Sequence, residues 1–187
     1  MITEHRHMPL LALLLCMAMA TAVSDDVLRD ELWDRQSKAH QKWQTELAKL
    51  LTSEAPHLKE LVEIQRDLQL VMLEMRDARQ SYLLRHDPER VIRTKGLSEW
   101  INFPWSEEDD ANLRASSPEY VKLEAAKQAL RKRNQRHASW GELRKVFATQ
   151  FQSSTEYRAL RKALDDELDQ VVQVLQAQDT DNKAAAH

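Results

Sequence analysis

Carboxylates beside two tryptophans are the residues whose types and spacing come closest to those of a catalytic site. They occur over one short stretch, as Glu99, Trp100, Trp105, Glu107, Glu108 and Asp109. Glycosidases place two carboxyl groups at a defined separation across a sugar, where one is the acid and the other is the base or nucleophile. Nothing in the sequence fixes such a separation. An enzyme acting on envelope glycans is therefore our third hypothesis, and we predict no catalytic residues.

The histidines are too scattered to predict a metal site. Outside the amino-terminal segment they are His40, His57, His86, His137 and His187. No two of them are three or four residues apart, the spacing that places two ligands on one face of a helix. Glycine-rich phosphate loops and recognisable serine, histidine and aspartate arrangements are also absent from the sequence. We therefore predict no metal and no cofactor.

Aromatic residues in the middle of the chain are the first part of a candidate interaction surface. Trp100, Phe103 and Trp105 surround Pro104 in a segment without helical periodicity, and aromatic side chains on irregular backbone are common at binding surfaces. The alternative is that they fill a gap between helices, because a long loop in a compact domain needs a packing or a functional role. In that case we expect Trp100 to be buried and Trp105 to be the more exposed of the two.

A basic stretch is the second part of the candidate surface. It comprises Arg131, Lys132, Arg133 and Arg136, and it is continued by His137, Arg144 and Lys145. Such a surface suits a phosphate-rich envelope component or an acidic partner. The alternative is ordinary helix electrostatics, in which these cations are answered by the acids at 107–110 or 165–167. The net charge of −3 favours this alternative and argues against a nucleic-acid-binding protein.

Helices must position these residues, because the composition favours helix over sheet. The chain has 187 residues and only two glycines, and 42% of its residues are hydrophobic and 30% charged. Strands favour β-branched residues and glycine-rich turns, whereas long stretches of Leu, Glu, Lys, Arg, Gln and Ala favour helix. We predict an all-α fold, a helical bundle that forms a single domain over residues 23–178.

The stretch Leu58–Leu84 is the predicted centre of this bundle. Its apolar residues recur at helical spacing, as Leu58, Leu61, Leu68, Met72, Met75 and Tyr82. The run Leu70–Leu73 puts apolar side chains on every side of one turn, so we expect neighbouring helices all round it. Gln65 and Arg79 interrupt the apolar stripe. They either fix the register with a neighbouring helix or mark the edge of the stripe.

The helices on both sides of this centre are predicted to form two antiparallel hairpins. The first helix begins at Ser24 and runs to about Leu51, and Pro56 starts the central helix after a short connection. The predicted segments are an amino-terminal hairpin at 23–86, an irregular aromatic connector at 87–117, a carboxyl-terminal hairpin at 118–178 and a disordered tail at 179–187.

Serine caps predict where helices start in the last part of the chain. Ser106 with Asp109 suits a short helix, and Ser117 and Ser154 predict helices from about 118 and 155. A capping box at Ser139–Glu142 predicts another short helix. The apolar face of that helix is Trp140, Leu143, Phe147 and Phe151. Whether residues 118–152 form one bent helix or two is left open.

The first 22 residues have the pattern of a signal peptide. Arg6 precedes an apolar run from Pro9 to Ala20, and small residues around Ala20 and Ala22 have the spacing that a signal peptidase needs. The apolar run is shorter than the about 20 residues that cross a bilayer, so we expect cleavage rather than a retained anchor. Cys16 lies in this segment, which leaves the mature chain without cysteine. We predict an exported protein, periplasmic or secreted and bacterial.

Non-catalytic binding is the predicted function. Long amphipathic helices supply interaction surface and nothing in the sequence supplies a reaction centre, so we expect an envelope adaptor or chaperone-like factor with a protein partner. The alternative is a carrier of an apolar small ligand or lipid, enclosed in the bundle by Met72, Met75 and the aromatic residues. A closed apolar cavity of ligand size would favour the carrier.

Overall fold

The computed structural model describes residues 10–92 and 100–185, with side chains described over 31–91 and 100–177. Arg6, Glu99 and His187, which figure in the sequence predictions, lie outside the described residues. Over the described part of the chain the protein is an all-α helical bundle without strands, which confirms the predicted fold class. The helices are α1 (Leu10–Glu54), α2 (Lys59–His86), α3 (Glu89–Ile92), α4 (Glu107–Ser116), α5 (Pro118–Arg136), α6 (Trp140–Val146) and α7 (Thr155–Ala185).

The chain divides into two compact units, Met1–Arg35 and Gln36–His187. In the first unit Leu32 and Trp33 are buried. All the contacts described below lie within the second unit. Within the described residues, none of the helices combines the length and the apolar character needed to cross a bilayer.

The ends of the helices test the predicted caps. Ser117 and Ser154 accept hydrogen bonds from backbone amides at the starts of α5 and α7, and Ser106 forms a capping box for α4, as predicted. The predicted start at Ser24 is wrong, because the apolar and alanine-rich residues before it are themselves good helix formers and α1 begins at Leu10. The capping box at Ser139–Glu142 is also wrong, because Ser139 makes no side-chain cap hydrogen bond.

The last part of the chain contains three helices, α5, α6 and α7. A turn at 137–139 separates α5 from α6, which answers the question left open for 118–152. One π-helical turn over Phe147–Phe151 follows α6. Helix α7 continues to Ala185, past the end expected near Gln178, because lysine and alanine near its end are strong helix formers.

Helix α2 carries the predicted apolar stripe. Leu61, Leu68 and Met75, which are seven residues apart, are all buried. Met72 is 43% exposed, so the expectation that α2 is covered all round is wrong. The reason is its position, because Gln65, Met72 and Arg79 are also seven residues apart and share the polar edge of the stripe rather than its centre.

Two polar contacts fix the register between α2 and α5, which pack against each other. Gln65 Nε2 donates to Asn134 Oδ1 at 2.9 Å, and Arg79 Nε donates to Tyr120 Oη at 2.7 Å. The two contacts are fourteen residues apart on both helices, in opposite chain directions. Helices α2 and α5 are therefore antiparallel over two heptads, about 21 Å of helix. Gln65 and Arg79 thus fix the register between α2 and α5 as well as lying at the edge of the apolar stripe.

Side chains also link α2 to the second half of α1. Ser37 Oγ donates to Asp77 Oδ2 at 2.7 Å, and Arg76 Nη2 donates to Gln36 Oε1 at 3.2 Å. At the other end of this pair, one buried apolar cluster joins α1, α2, α6 and the π-helical turn. Its members are Ala48, Leu51, Ala55, Leu58, Leu61, Val62, Leu143 and Phe151. The grouping of all helices into two hairpins stays a prediction, and α2 also packs against α5, across the predicted hairpins.

Candidate functional site

The aromatic residues of the candidate surface are mostly buried. Trp100 and Phe103 are only 4% and 8% exposed, whereas Trp105 is half-buried. Trp105 Nε1 donates to Asp110 Oδ1 at 3.1 Å, and the guanidinium carbon of Arg79 lies 5.1 Å from the centroid of the Trp105 ring. These residues already have partners inside the protein, which favours the packing interpretation over a binding loop. Trp105 is the more exposed of the two tryptophans.

The acidic residues beside the tryptophans form ion pairs within the protein. Asp109 accepts hydrogen bonds from Arg90 at 2.8 and 3.0 Å, and Asp110 pairs with Arg79 at 3.1 Å and with Arg114 at 2.5 Å. The hydrogen bonds from Arg90 hold the pKa of Asp109 well below its usual range. A carboxylate of this kind stays ionised at neutral pH and is a poor general acid. Among the residues with described side chains, no group of three acids, histidines or cysteines is arranged to hold a metal ion.

Asp110 is the centre of a polar network that joins α2, α4 and α5. Tyr120 is fully buried, and its hydroxyl donates to Asp110 Oδ1 at 2.7 Å. Burial by itself raises the pKa of Asp110, but the hydrogen bonds from Tyr120 and Trp105 and the charges of Arg114 and Arg79 outweigh it and lower the pKa. Burial and the Asp110 acceptor raise the pKa of Tyr120 to about 12. Since Tyr120 is closed to solvent, this network serves the packing of helices rather than catalysis.

The basic residues of the candidate surface remain accessible. Arg131, Lys132, Arg133 and Arg136 are all exposed at the end of α5. Arg133 lies 3.7 Å from Glu60, whose side chain is 71% exposed, so that pair is weak. The other three form no ion pair with any residue whose side chain the structure describes. The structure therefore brings together the basic half of the candidate surface and separates it from the buried aromatic half.

Four of the acids that were expected to neutralise this basic stretch pair with other cations. Asp165 lies 3.0 Å from Arg161, and Asp166 lies 2.7 Å from Lys162, each within one turn of α7. In the acidic run at 107–110, the two aspartates pair with arginines of α2, α3 and α4. These four acids therefore do not neutralise the basic stretch, although Arg133 and Arg136 do lie in the last turn of α5, where helix electrostatics favours cations. The net charge of the chain favoured neutralisation by these acids, because the sequence gives the sign of the charges but not which helices meet.

An open apolar cleft of about 440 Å³ lies beside the basic stretch. Helices α1, α2 and α6 and the π-helical turn form it. The apolar residues that line it are Leu47, Ala48, Leu51, Val62, Trp140, Leu143 and Phe147. The polar residues that line it are Gln44, Gln65, Arg66, Gln69 and Arg144. The sequence predicts the apolar face of α6 but not the cleft, because the other walls of the cleft come from two helices far away in sequence.

Three contacts hold α6 in place as a wall of the cleft. Trp140 Nε1 donates to the backbone oxygen of Asn134 at 2.7 Å, which ties the start of α6 to the end of α5. His57 Nε2 lies 2.9 Å from Glu142 Oε1, which ties α6 to the turn before α2. The ring of Phe147 packs edge to face against Tyr157 of α7, with centroids 5.5 Å apart. The cleft is therefore built on anchored elements rather than on a loose loop.

The cleft lining is made of apolar, glutamine and arginine side chains. The residues that line it include no aspartate, glutamate, histidine, cysteine, serine, threonine, tyrosine or lysine. The cleft therefore lacks the nucleophile and the acid or base that most catalytic sites need. Arg66 donates to the adjacent Asp67 at 2.7 Å, whereas Arg144 is exposed and forms no ion pair with the residues whose side chains are described. The cleft thus presents an apolar floor with a cationic rim.

No protein-family model, curated protein or solved structure matches this chain. The function is accordingly argued from the cleft, its lining and the charges around it.

Proposed function

We propose that this chain is an exported, non-catalytic adaptor or chaperone-like protein that binds a partner protein of the cell envelope, and that the apolar cleft is the site of binding. The observation that carries this proposal is the cleft itself, whose lining combines seven apolar residues with glutamines and arginines and without catalytic groups. Apolar side chains of a partner, inserted between α2 and α6, would gain their binding energy from leaving water.

The shape of the cleft favours a protein partner over an enclosed small ligand. Sites for small ligands usually bury more than about 70% of the ligand surface. This cleft is open to solvent, and Trp140 and Phe147 at its wall are only half-buried. A small apolar ligand would therefore keep part of its surface in water, whereas a protein segment brings its own surface to cover the opening. The carrier hypothesis is the weaker of the two on this ground.

Export belongs to the proposal because of the amino-terminal sequence. A short apolar run follows Arg6 and ends in small residues at the spacing that a signal peptidase requires. Cleavage there would leave the whole cleft on the mature chain, since the first residue that lines it is Gln44.

Site-specific photo-crosslinking in the source organism tests the proposal. A photoreactive phenylalanine analogue replaces Gln69, which lines the cleft, and in a matched control it replaces Gln128, which is exposed on α5 and does not line it. We expect a protein adduct from position 69 and none from position 128. Adding Gln44→Trp, which fills the cleft from its other wall, should abolish the adduct. Equal adducts at both positions, or adducts with lipid alone, would contradict the proposal.

A further inference from the structure

We infer that the partner segment is an acidic amphipathic helix, with apolar side chains in the cleft and carboxylates against the cations around it. This inference rests on the proposed function and adds the chemistry of the partner. It depends on the charge around the cleft, on the contacts that place this charge there, and on the lack of counter-ions for five of the cations among the residues whose side chains are described.

Positive charge predominates in the segment that borders the cleft. Between residues 131 and 145 the chain has six arginines and lysines and a single acid, Glu142. That acid is 2.9 Å from His57, which holds it at the turn before α2. A whole chain with net charge −3 therefore concentrates positive charge on this one region. Such a region attracts anionic groups and raises their rate of association.

Contacts through Asn134 place these cations at the edge of the cleft. Asn134 accepts a hydrogen bond from Gln65 through its side chain and another from Trp140 through its backbone oxygen. Gln65 and Trp140 both line the cleft. The basic end of α5 therefore borders the cleft on one side, and Arg144, itself a lining residue, contributes a cation from α6.

Five of the six arginines and lysines in this region lack internal partners. Arg131, Lys132, Arg136, Arg144 and Lys145 are exposed, and none of them forms an ion pair with a residue whose side chain is described. Arginines elsewhere in the protein behave differently, since those at positions 79, 90, 114 and 161 all pair with carboxylates. Unanswered like charges on neighbouring turns repel one another. Carboxylates of an acidic partner would relieve that repulsion, so the cations beside the cleft favour an acidic partner.

A helix fits this site better than an extended segment or a membrane. The described residues include no strand, so an extended peptide would find no sheet edge to pair with. An amphipathic helix inserts side chains at three- and four-residue spacing and places charges on its flanks. Binding to a bilayer needs exposed large apolar side chains beside the cations. Among the described residues the exposed large hydrophobic side chains are Met72 and Val121, and neither lies in the basic stretch.

Three synthetic helical peptides of equal length test the inference with the full-length chain. The acidic peptide has leucines on one face and glutamates on its flanks. The neutral peptide replaces those glutamates by glutamine, and the scrambled peptide keeps the acidic composition without a single apolar face. We expect fluorescence anisotropy to show binding of the acidic peptide about tenfold tighter than of the neutral one, and the difference should vanish at high salt. The scrambled peptide should not bind.

Charge-reversal variants locate the effect. Lys132→Glu combined with Lys145→Glu, two exposed cations that do not line the cleft, should weaken binding of the acidic peptide about tenfold and leave the neutral peptide unchanged. Lys122→Glu is the matched control, since Lys122 is on the same helix, 71% exposed and paired only with Glu119. It should change neither affinity. Circular dichroism verifies that all variants keep the helical fold.

The outcomes separate this inference from the proposed function. Equal affinity for the acidic and neutral peptides, with both lost in Gln69→Trp, would overturn the acidic partner and keep the cleft as a protein-binding site. Failure of every peptide to bind would overturn the inference, while the crosslinking experiment still decides the proposed function. Tighter binding to vesicles of anionic phospholipid than to the acidic peptide would also overturn it, and would identify a membrane surface instead.

Discussion

Replacing Asp110 by alanine should destabilise the protein more than the loss of any single exposed acid. The carboxylate of Asp110 is only 16% exposed and accepts hydrogen bonds from Tyr120, Trp105 and Arg79. Without it, the fully buried hydroxyl of Tyr120 loses its acceptor, at a cost of about 1–3 kcal/mol. Trp105 is half-buried, so its indole N–H can donate to water in place of Asp110, which offsets part of the lost hydrogen-bond energy. We therefore expect a decrease of about 2–4 kcal/mol in the free energy of unfolding, a large share of the about 5–15 kcal/mol that holds a typical domain.

Urea denaturation at neutral pH, followed by far-ultraviolet circular dichroism, measures this decrease. Asp165→Ala is the matched control, because Asp165 also pairs with an arginine but is 48% exposed. It should cost less than about 1 kcal/mol. In a Tyr120→Phe background, Asp110→Ala should cost at least about 1 kcal/mol less than in the parent, since the two residues share one hydrogen bond. Similar small losses at Asp110 and Asp165 would refute the view that this network holds α2, α4 and α5 together.

Three further predictions follow from burial and charge. Arg90 lowers the pKa of Asp109. The ionised carboxylate therefore stabilises the fold fully above its unfolded pKa of about 4, and this stabilisation should be lost as the pH falls through the lower pKa of the folded state. Asp109→Asn should weaken the loss of stability in acid, measured by urea titrations at several pH values. Met75→Asp should abolish cooperative unfolding, since Met75 is only 3% exposed. Met72 is 43% exposed, so Met72→Asp should lower the free energy of unfolding by about 1 kcal/mol or less. Equal thermal melts of the two variants would contradict the orientation of α2. Trp100→Ala should lower the free energy of unfolding by about 3–5 kcal/mol, and Trp105→Ala should lower it distinctly less because Trp105 is half-buried. The reverse order in urea denaturation would contradict the packing of the connector.

The sequence predicted the features that depend on neighbouring residues. The all-α class follows from composition, and the starts of α5 and α7 follow from serine caps whose partners lie three residues away. The buried stripe at Leu61, Leu68 and Met75 follows from spacing alone. Each of these signals is complete within one turn or one helix, so no knowledge of the other helices is needed to read it.

Features that depend on which helices meet could not be predicted in the same way. The exposure of Met72 depends on where α5 crosses α2, and the spacing of apolar residues does not give that position. The cleft needs walls from α1, α2 and α6, and its glutamines look like ordinary surface residues in the sequence. The basic stretch lacks these counter-ions because the acids at 109, 110, 165 and 166 form ion pairs with other cations, and the sequence does not show those pairs.

The register between α2 and α5 also determines that the cleft stays open. With Gln65 opposite Asn134, Arg136 at the end of α5 is level with residue 63 of α2. A slide of one heptad towards the start of α2 would carry that end past Val62, a lining residue, and would cover the cleft. Such a slide would also break the contacts of Gln65 and Arg79, leaving two polar groups without their partners at the helix interface. Polar residues on an otherwise apolar stripe stabilise one register at some cost in packing. Here the register that they select is the one that leaves the apolar floor accessible beside the cations of α5.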